Sequence, residues 1–410
     1  MRAFHFVNKS CNRRQEEVHT VGDFLRINGW KQTDTAGNAD LVILFTCAFC
    51  HSRVTDMLDE IGRIRAALKD GAELIVGSCL PKTDPARLQS VFNGKIIHPT
   101  DFSALDSLPG ITVKFDAILD GRGQAAASIG AARQQAAGAS PHNRKEQLLR
   151  KAVSFVRCGR RLAGGGPAAP QSPDKRKIIF LAAGCRRLCS YCAIRFATGK
   201  LRSKPLDWVL WQFRDGVYHG FGKFELYADS IGDYGMDIGT DLGHLFEQLL
   251  AMREQFTIGV YDLHPASFLK YYDQLMALCR AGKVHFLYVP LQSGNARIMK
   301  LMRRPCDPRD LRQKLLNVKH VGGIFLQTSI IAGFPSETEE EFQDTVDFLT
   351  ALEFDDVYVH FYSDMPGTES SEMDGKIDKE TMRGRMDKIM AAGIRNQIGE
   401  TRHEWENIPI

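Results

Sequence analysis

Short apolar runs alternate with helix-period segments through most of the chain, and that rhythm leaves few folds open. Near the amino terminus, Ala3–Val7, Ala39–Phe45 and Ala72–Val76 read as strands, and Gln15–Asn28 and Ser52–Leu68 read as helices. Strand, helix, strand at this spacing calls for a parallel sheet covered by helices. Such sheets collect ligands just beyond the carboxyl ends of their strands, where Cys11, Cys47 and Cys79 stand. The rhythm returns after Lys177. Strands are expected at Ile178–Ala182, Lys223–Tyr227, Ile258–Asp262, Val284–Val289, Phe325–Ile331 and Asp356–Phe361. Helices are expected at Pro205–Gly220, Leu242–Phe256, Phe268–Ala281, Pro308–Val321 and Glu339–Glu353. Six strands in one unbroken αβ series point to a full or partial (β/α) barrel with its site at the strands' carboxyl ends.

Between the two series the composition changes. Gly121–Ser140 is rich in Ala, Gly and Gln, and Gly164–Pro173 in Gly, Pro and Ala, so both read as linkers. They bracket Arg144–Arg161, with seven Lys/Arg, one Glu and apolar residues at helical spacing. That segment reads as a solvated amphipathic helix or as a basic surface for substrate. The expected domains are an α/β domain over 1–120, a linker with the basic helix over 121–175, a barrel over 176–375 and a helical tail over 376–410. The 410-residue length fits two or three globular domains. A formal charge of +4 is too small to imply a nucleic-acid binder by bulk charge. No apolar stretch is long enough to span a membrane, and no signal pattern starts the chain, so a cytoplasmic location is expected. Ten cysteines in a reducing compartment need a role other than disulfides.

Cys185-Arg186-Arg187-Leu188-Cys189-Ser190-Tyr191-Cys192 supplies that role directly after the first barrel strand. Three thiolates in eight residues can share one four-iron cluster and leave the fourth iron open to an outside ligand. Structural zinc would want a fourth Cys or His nearby, and none follows. The motif resembles that of the radical S-adenosylmethionine (SAM) enzymes. In that superfamily the open iron chelates SAM, and reduction of the cluster cleaves SAM to a radical that abstracts hydrogen from substrate.

The likeness narrows with Asn8-Lys9-Ser10-Cys11-Asn12, Phe45-Thr46-Cys47-Ala48-Phe49 and Val76-Gly77-Ser78-Cys79, which look like the three amino-terminal cysteine loops of the methylthiotransferases. Thr198-Gly199-Lys200-Leu201-Arg202, Asp233-Tyr234-Gly235, His264-Pro265, Pro290-Leu291-Gln292-Ser293-Gly294, Gly333-Phe334-Pro335 and Pro366-Gly367-Thr368 follow in family order. The resemblance covers about residues 5–375. It implies a small parallel-sheet α/β domain followed by a (β/α)6-type partial barrel of radical SAM type. It also implies SAM and two 4Fe-4S clusters: a radical cluster on Cys185, Cys189 and Cys192, and an auxiliary cluster on Cys11, Cys47 and Cys79. The implied reaction replaces a substrate C–H bond with C–S–CH3.

For SAM itself, Tyr191 matches the aromatic position that packs near the adenine, and Gly333 and Phe334 match a loop that approaches it. Glu225, within the second barrel strand, and Asp229, just past its end, sit near family positions lining the cavity; they either bind SAM's amino group or ribose, or cap a loop or pair at the strand end. Gln292 and Ser293 are cavity candidates after the fourth strand. Arg202 either meets a carboxylate of SAM or substrate, or makes a surface ion pair. Among the other cysteines, Cys50 either handles a persulfide or packs, and Cys158, Cys279 and Cys306 read as structural.

Two departures bear on the substrate. Family members usually end in a small β-barrel, the TRAM domain, which grips a macromolecule, and the residues from about 380 to Ile410 are too few for one. The Tyr362-Ser363-Asp364-Met365-Pro366-Gly367-Thr368 segment also departs from the commoner family pattern. A peptide, such as a ribosomally made natural-product precursor, or a small metabolite is therefore the expected substrate. The alternatives are a tRNA held by the 144–161 patch, sulfur insertion without a methyl group, and a non-catalytic iron–sulfur scaffold or sensor. An electron donor such as flavodoxin or ferredoxin is implied, and no membrane partner.

Overall fold

The computed structural model describes residues 2–121, 172–394 and 396–397. The basic segment Arg144–Arg161 and Cys158 lie outside the described residues, as does the chain beyond 397. Two compact units emerge, one of Met1–Cys47 with Met57–Ala169 and the other of Ala48–Asp56 with Pro170–Ile410.

The first unit is built on β1 (Ala3–Asn8), β2 (Lys31–Gln32), β3 (Leu41–Thr46) and β4 (Glu73–Ser78). They form one sheet in the order β2-β1-β3-β4. Every pairing is parallel, with Asn8 opposite Phe45 and Thr46 opposite Ser78. The central strand β3, Leu41-Val42-Ile43-Leu44-Phe45-Thr46, is buried along its whole length, as a parallel strand covered on both faces must be. Helix Gln15–Ile27 packs Val18, Val21, Phe24 and Leu25 into the same core as Phe4, Ile43 and Phe45. The two-residue edge strand β2 carries no hydrophobic signature, so nothing in its sequence announces it.

The second unit holds an eight-stranded sheet of β5 (Ser172–Ala183), β6 (Arg202–Ser203), β7 (Phe221–Ala228), β8 (Thr257–Val260), β9 (Val284–Tyr288), β10 (Phe325–Ala332), β11 (Asp356–Phe361) and β12 (Asn396–Gln397). Its order is β12-β11-β10-β9-β8-β7-β5-β6. The six expected strands run parallel as consecutive neighbours, and β6 adds an antiparallel edge on β5. Among the described strands the sheet does not close, so this is a partial barrel. Strand β10 shows its two faces: Leu326 and Ile330 join the helix-covered core with Leu315, Phe342 and Leu349, whereas Gln327 and Ser329 hydrogen-bond to Asp356 and Tyr288 on the opposite face.

Three expectations change in detail. Strand β5 begins at Ser172, inside the stretch read as linker. The helix expected over Phe268–Ala281 is two, Pro265–Lys270 and Tyr272–Arg280, because Tyr271 (φ −105°, ψ 21°) leaves helical geometry. The helix starting at Leu242 stops at Ala251, since Met252 turns extended.

Candidate functional site

In the first unit the cysteines follow directly from the sheet. Cys11 stands three residues beyond β1, and Cys47 and Cys79 immediately follow β3 and β4. Because the three strands are parallel neighbours, residues far apart in sequence emerge at one edge. Cys79 is buried, Cys47 half-buried and Cys11 exposed. Burial pushes the Cys79 thiol up to about 12, and Cys11 and Cys47 are both among its charged neighbours. Arg14 is buried beside them and bonds Glu17 at 2.5 Å, so its charge is compensated.

In the second unit Gly184 turns the chain out of β5 with φ +86°; a Cβ there would lie 2.0 Å from the Lys200 carbonyl oxygen. Its N–H donates to Asp229 Oδ2 at 2.7 Å, which fixes the start of the cysteine loop. Cys185 Sγ accepts from the Arg187 N–H at 3.3 Å. Ser190 donates its N–H to the Met302 carbonyl and its hydroxyl to the Leu301 carbonyl, tying the loop to the end of helix Ala296–Leu301. Burial raises the Cys185 thiol to about 11, and Cys192 and Cys189 lie near enough to repel its charged form.

Arginines and a histidine surround this loop. Arg187 bonds Ser267 Oγ at 2.5 Å and Asp233 Oδ1 at 2.9 Å. Arg304 lies 3.5 Å from Cys189 Sγ through Nη1 and donates to the Pro290 carbonyl through Nη2 at 2.5 Å. His264 accepts the Ala266 N–H at Nδ1, and burial, with Arg304 and Arg187 nearby, holds it neutral far below its usual range. Its Nε2 and the Nε atoms of Arg187 and Arg304 are buried without a hydrogen-bond partner. Unpaired buried donors beside a cysteine loop are what a site completed by an anionic ligand leaves exposed to view.

The residues expected around SAM divide into groups. Tyr191 packs against a buried cluster of Ile298, Met302, Ile331 and Phe334, so those two aromatic candidates come together. Gly333 (φ +86°) leads into that cluster, with Met382 where a Cβ would go. Gln292 adopts φ +72° beyond β9 and donates its side-chain amide to Ser329 Oγ, while its Oε1 is buried without a partner. Ser293 is fully buried, its hydroxyl beside Thr345 and accepting the Asn295 N–H, a packing position. Glu225 lies within β7, as expected, and is bonded to Arg176 at 3.2 Å and His285 at 3.3 Å; Gly259 on β8 leaves the room it occupies. Arg202 is exposed on edge strand β6, 3.4 Å from the Lys200 carbonyl. Cys279 is buried, Cys306 Sγ meets Met299 Sδ at 3.5 Å, and Cys50 lies 3.2 Å from Ser52 Oγ.

Sequence reasoning missed Arg304 and Arg385. Arg385 is buried on helix Lys379–Ala391 and bonds Glu337 Oε2 and the Glu337 carbonyl, both at 2.7 Å. Glu337 in turn accepts the Gly333 N–H at 3.2 Å. The helix therefore clamps the Gly333-Phe334 loop. A lone arginine in a charged helix gives no local signal of such a role.

Residues 179–349 match the radical SAM superfamily, and residues 3–97 match the uncharacterized protein family UPF0004. The ribosomal protein uS12 methylthiotransferase RimO of Protochlamydia amoebophila is 26% identical over 393 residues, covering 94% of this chain and 75% of that protein. The probable threonylcarbamoyladenosine tRNA methylthiotransferase of Pyrococcus horikoshii is 28% identical over 387 residues, covering 92% and 81%. The chain carries a radical SAM domain and a UPF0004 domain, and over most of its length it is similar to the radical SAM methylthiotransferases. Among solved structures, the radical SAM methyltransferase TsrM from Kitasatospora setae shares the fold, with a TM-score of 0.56 at 15% identity over 90% of this chain and 74% of that one. A radical SAM methylthiotransferase is an enzyme that transfers sulfur and a methyl group, and the family uses SAM and two 4Fe-4S clusters.

The residues present fit those groups. Each unit gathers three cysteines whose charges are mutually felt. Among the described residues, no three His, Cys, Asp or Glu side chains are placed to hold a single metal ion. Three cysteines in each unit match a donor set that leaves one iron of a four-iron cluster open to an outside ligand. No helix among the described residues is long and apolar enough to cross a membrane.

Proposed function

We propose that the protein converts a C–H bond of a polypeptide substrate into C–S–CH3. The observation that carries this reading is the pair of cysteine triads, each at the carboxyl ends of parallel strands in its own unit. Cys185, Cys189 and Cys192 would hold the radical cluster and Cys11, Cys47 and Cys79 the auxiliary one; together with SAM they supply the hydrogen-abstracting radical, the sulfur and the methyl group.

The chain's own residues position and enclose. Gly184 and Asp229 aim the cysteine loop out of β5. Tyr191 and Phe334 offer an apolar wall for the adenine, held by the clamp of Glu337 and Arg385. Gln292 offers an unpaired carbonyl oxygen to a hydroxyl or ammonium group, and His264 an unpaired N–H to a carboxylate. Ser293, Glu225 and Arg202 are better matched to packing, barrel and surface roles than to SAM. No side chain need act as acid or base in hydrogen abstraction, so geometry and exclusion of water carry the protein's contribution.

A polypeptide substrate is supported by the relatives that modify ribosomal protein uS12. A tRNA substrate is the second reading, supported by the Pyrococcus relatives. The test is anaerobic reconstitution of the full chain with iron counted, alongside a Cys11→Ala/Cys47→Ala/Cys79→Ala variant. About eight irons falling to about four, with SAM cleavage retained, is the expected result. Wild type holding only about four irons would reduce the reading to a single-cluster radical SAM enzyme. Presenting ribosomal protein and tRNA separately to the loaded enzyme then assigns the substrate by which one gains sulfur and methyl.

A further inference from the structure

Three arginines approach the two cysteine triads, and their charges are handled differently. Arg14 is paired with Glu17 and Arg187 with Asp233. Among the described residues Arg304 has no carboxylate partner: its guanidinium bonds the Cys189 sulfur and the Pro290 carbonyl, and its Nε is unpaired. The side chain is 5% exposed. A guanidinium does not deprotonate in a protein, and a buried cation without an anion costs several kcal/mol. The arrangement persists only if the occupied site brings negative charge to it.

The placement is also rigid. Arg304 follows helix Ala296–Leu301, and its N–H donates to the Met299 carbonyl at 2.8 Å, after Arg303 in left-handed geometry (φ +56°). Ser190, next to Cys189, is bonded twice to the same turn. The helix end that carries Arg304 and the loop that carries Cys189 are thus stitched to each other, and the Pro290 carbonyl holds the guanidinium on its other side.

We infer that Arg304 is a positioning residue that raises the reduction potential of the cluster held by Cys185, Cys189 and Cys192, easing electron uptake from a low-potential one-electron donor. This rests on the proposed assignment of that cluster. The added electron makes the thiolate-bound cluster more negative, so a fixed cation 3.5 Å from one ligand sulfur favours the reduced form. Hydrogen bonds and charge at the sulfurs are the recognised levers on such potentials.

The experiment uses the full chain carrying Cys11→Ala/Cys47→Ala/Cys79→Ala, so that one cluster is read, and follows its reduction against a dye series anaerobically. Arg304→Gln is expected to lower the reduced-to-oxidised ratio about tenfold at a fixed potential, equal to about 59 mV for one electron. Arg304→Lys, which keeps the charge, is expected to hold the ratio near that of the parent. An unchanged ratio in Arg304→Gln with its four irons bound overturns the inference, as does an equal fall in both variants. If Arg304→Gln takes up no cluster, the lysine variant decides: the parent ratio supports the inference, and a tenfold fall or loss of iron overturns it. A parent protein with no reducible cluster overturns the underlying assignment instead, which the iron count separates from failure of the inference alone.

Discussion

The two cysteine triads reach similar ends by opposite routes. Cys185, Cys189 and Cys192 lie within eight residues of one loop, and a glycine turn, a carboxylate and a stitched helix end hold that loop in place. Cys11, Cys47 and Cys79 are 36 and 32 residues apart and meet only because β1, β3 and β4 are parallel neighbours. The first arrangement is local and tolerates change elsewhere in its sheet. The second depends on strand order and register, since a one-residue slip would turn every side chain of a strand to the other face. The flanking charges differ too: Arg14 is neutralised by Glu17, whereas Arg304 is left for the sulfur.

The largest effects should separate the triads by function. Cys185→Ala is expected to abolish SAM cleavage, while Cys79→Ala should leave SAM cleavage intact and abolish transfer of sulfur to substrate. Chromatography of SAM fragments and mass analysis of substrate read the two outcomes; loss of cleavage in both variants would break the comparison.

Next comes the clamp. Arg385→Ala would strand Glu337 in the core, a loss of about 3–5 kcal/mol for breaking a buried pair. Denaturant unfolding should show it, together with weaker SAM binding in the folded fraction. Iron bound by the amino-terminal triad should be unaffected. Weakened SAM binding is the readout that a merely structural clamp, remote from the Gly333-Phe334 loop, would not give.

Gly184→Ala is expected to cost about 1–3 kcal/mol through its left-handed backbone, with the clash on the Lys200 carbonyl added. Its iron count should fall only at the barrel site, which sharpens the local character of that triad. An iron count that falls at both sites would contradict it.

The smallest effect concerns acid. Burial pushes the Glu225 carboxyl up, but hydrogen bonding from His285 and the charge of Arg176 outweigh it and hold the group below its ordinary 4.5. Its stabilisation is complete above that value and fades as pH falls through the lowered one. Glu225→Gln should therefore lower stability at neutral pH, where the carboxylate contributes fully, and flatten the acid limb below pH 4.5, so that the two proteins converge in acid. An unaltered acid limb would show the pairing to be without consequence.

Much of this was legible before any coordinates. The periodicities place β3, β10, β11 and helix Pro308–Val321 within a residue or two, because a strand that lines a core carries a run or an alternation of apolar residues and a packed helix carries a stripe. Short edges such as β2, β6 and β12 were not legible, since two residues held by a neighbour's backbone need no pattern of their own.

The division at the site follows the same physics. Sequence alone determined the Cys185-Cys189-Cys192 loop, because its ligands are neighbours along the chain and need only a turn to face one another. It also supplied the αβ order that makes two sheets. Only tertiary structure decided that Cys11, Cys47 and Cys79 share one sheet edge, that Glu225 is paired mid-barrel, and that Ser293 is packed away. Only tertiary structure brought Arg304 to Cys189 across 115 residues and Arg385 to Glu337 across 48. Burial and long-range pairing set the charge of those groups, and neither is written in the residues on either side of them.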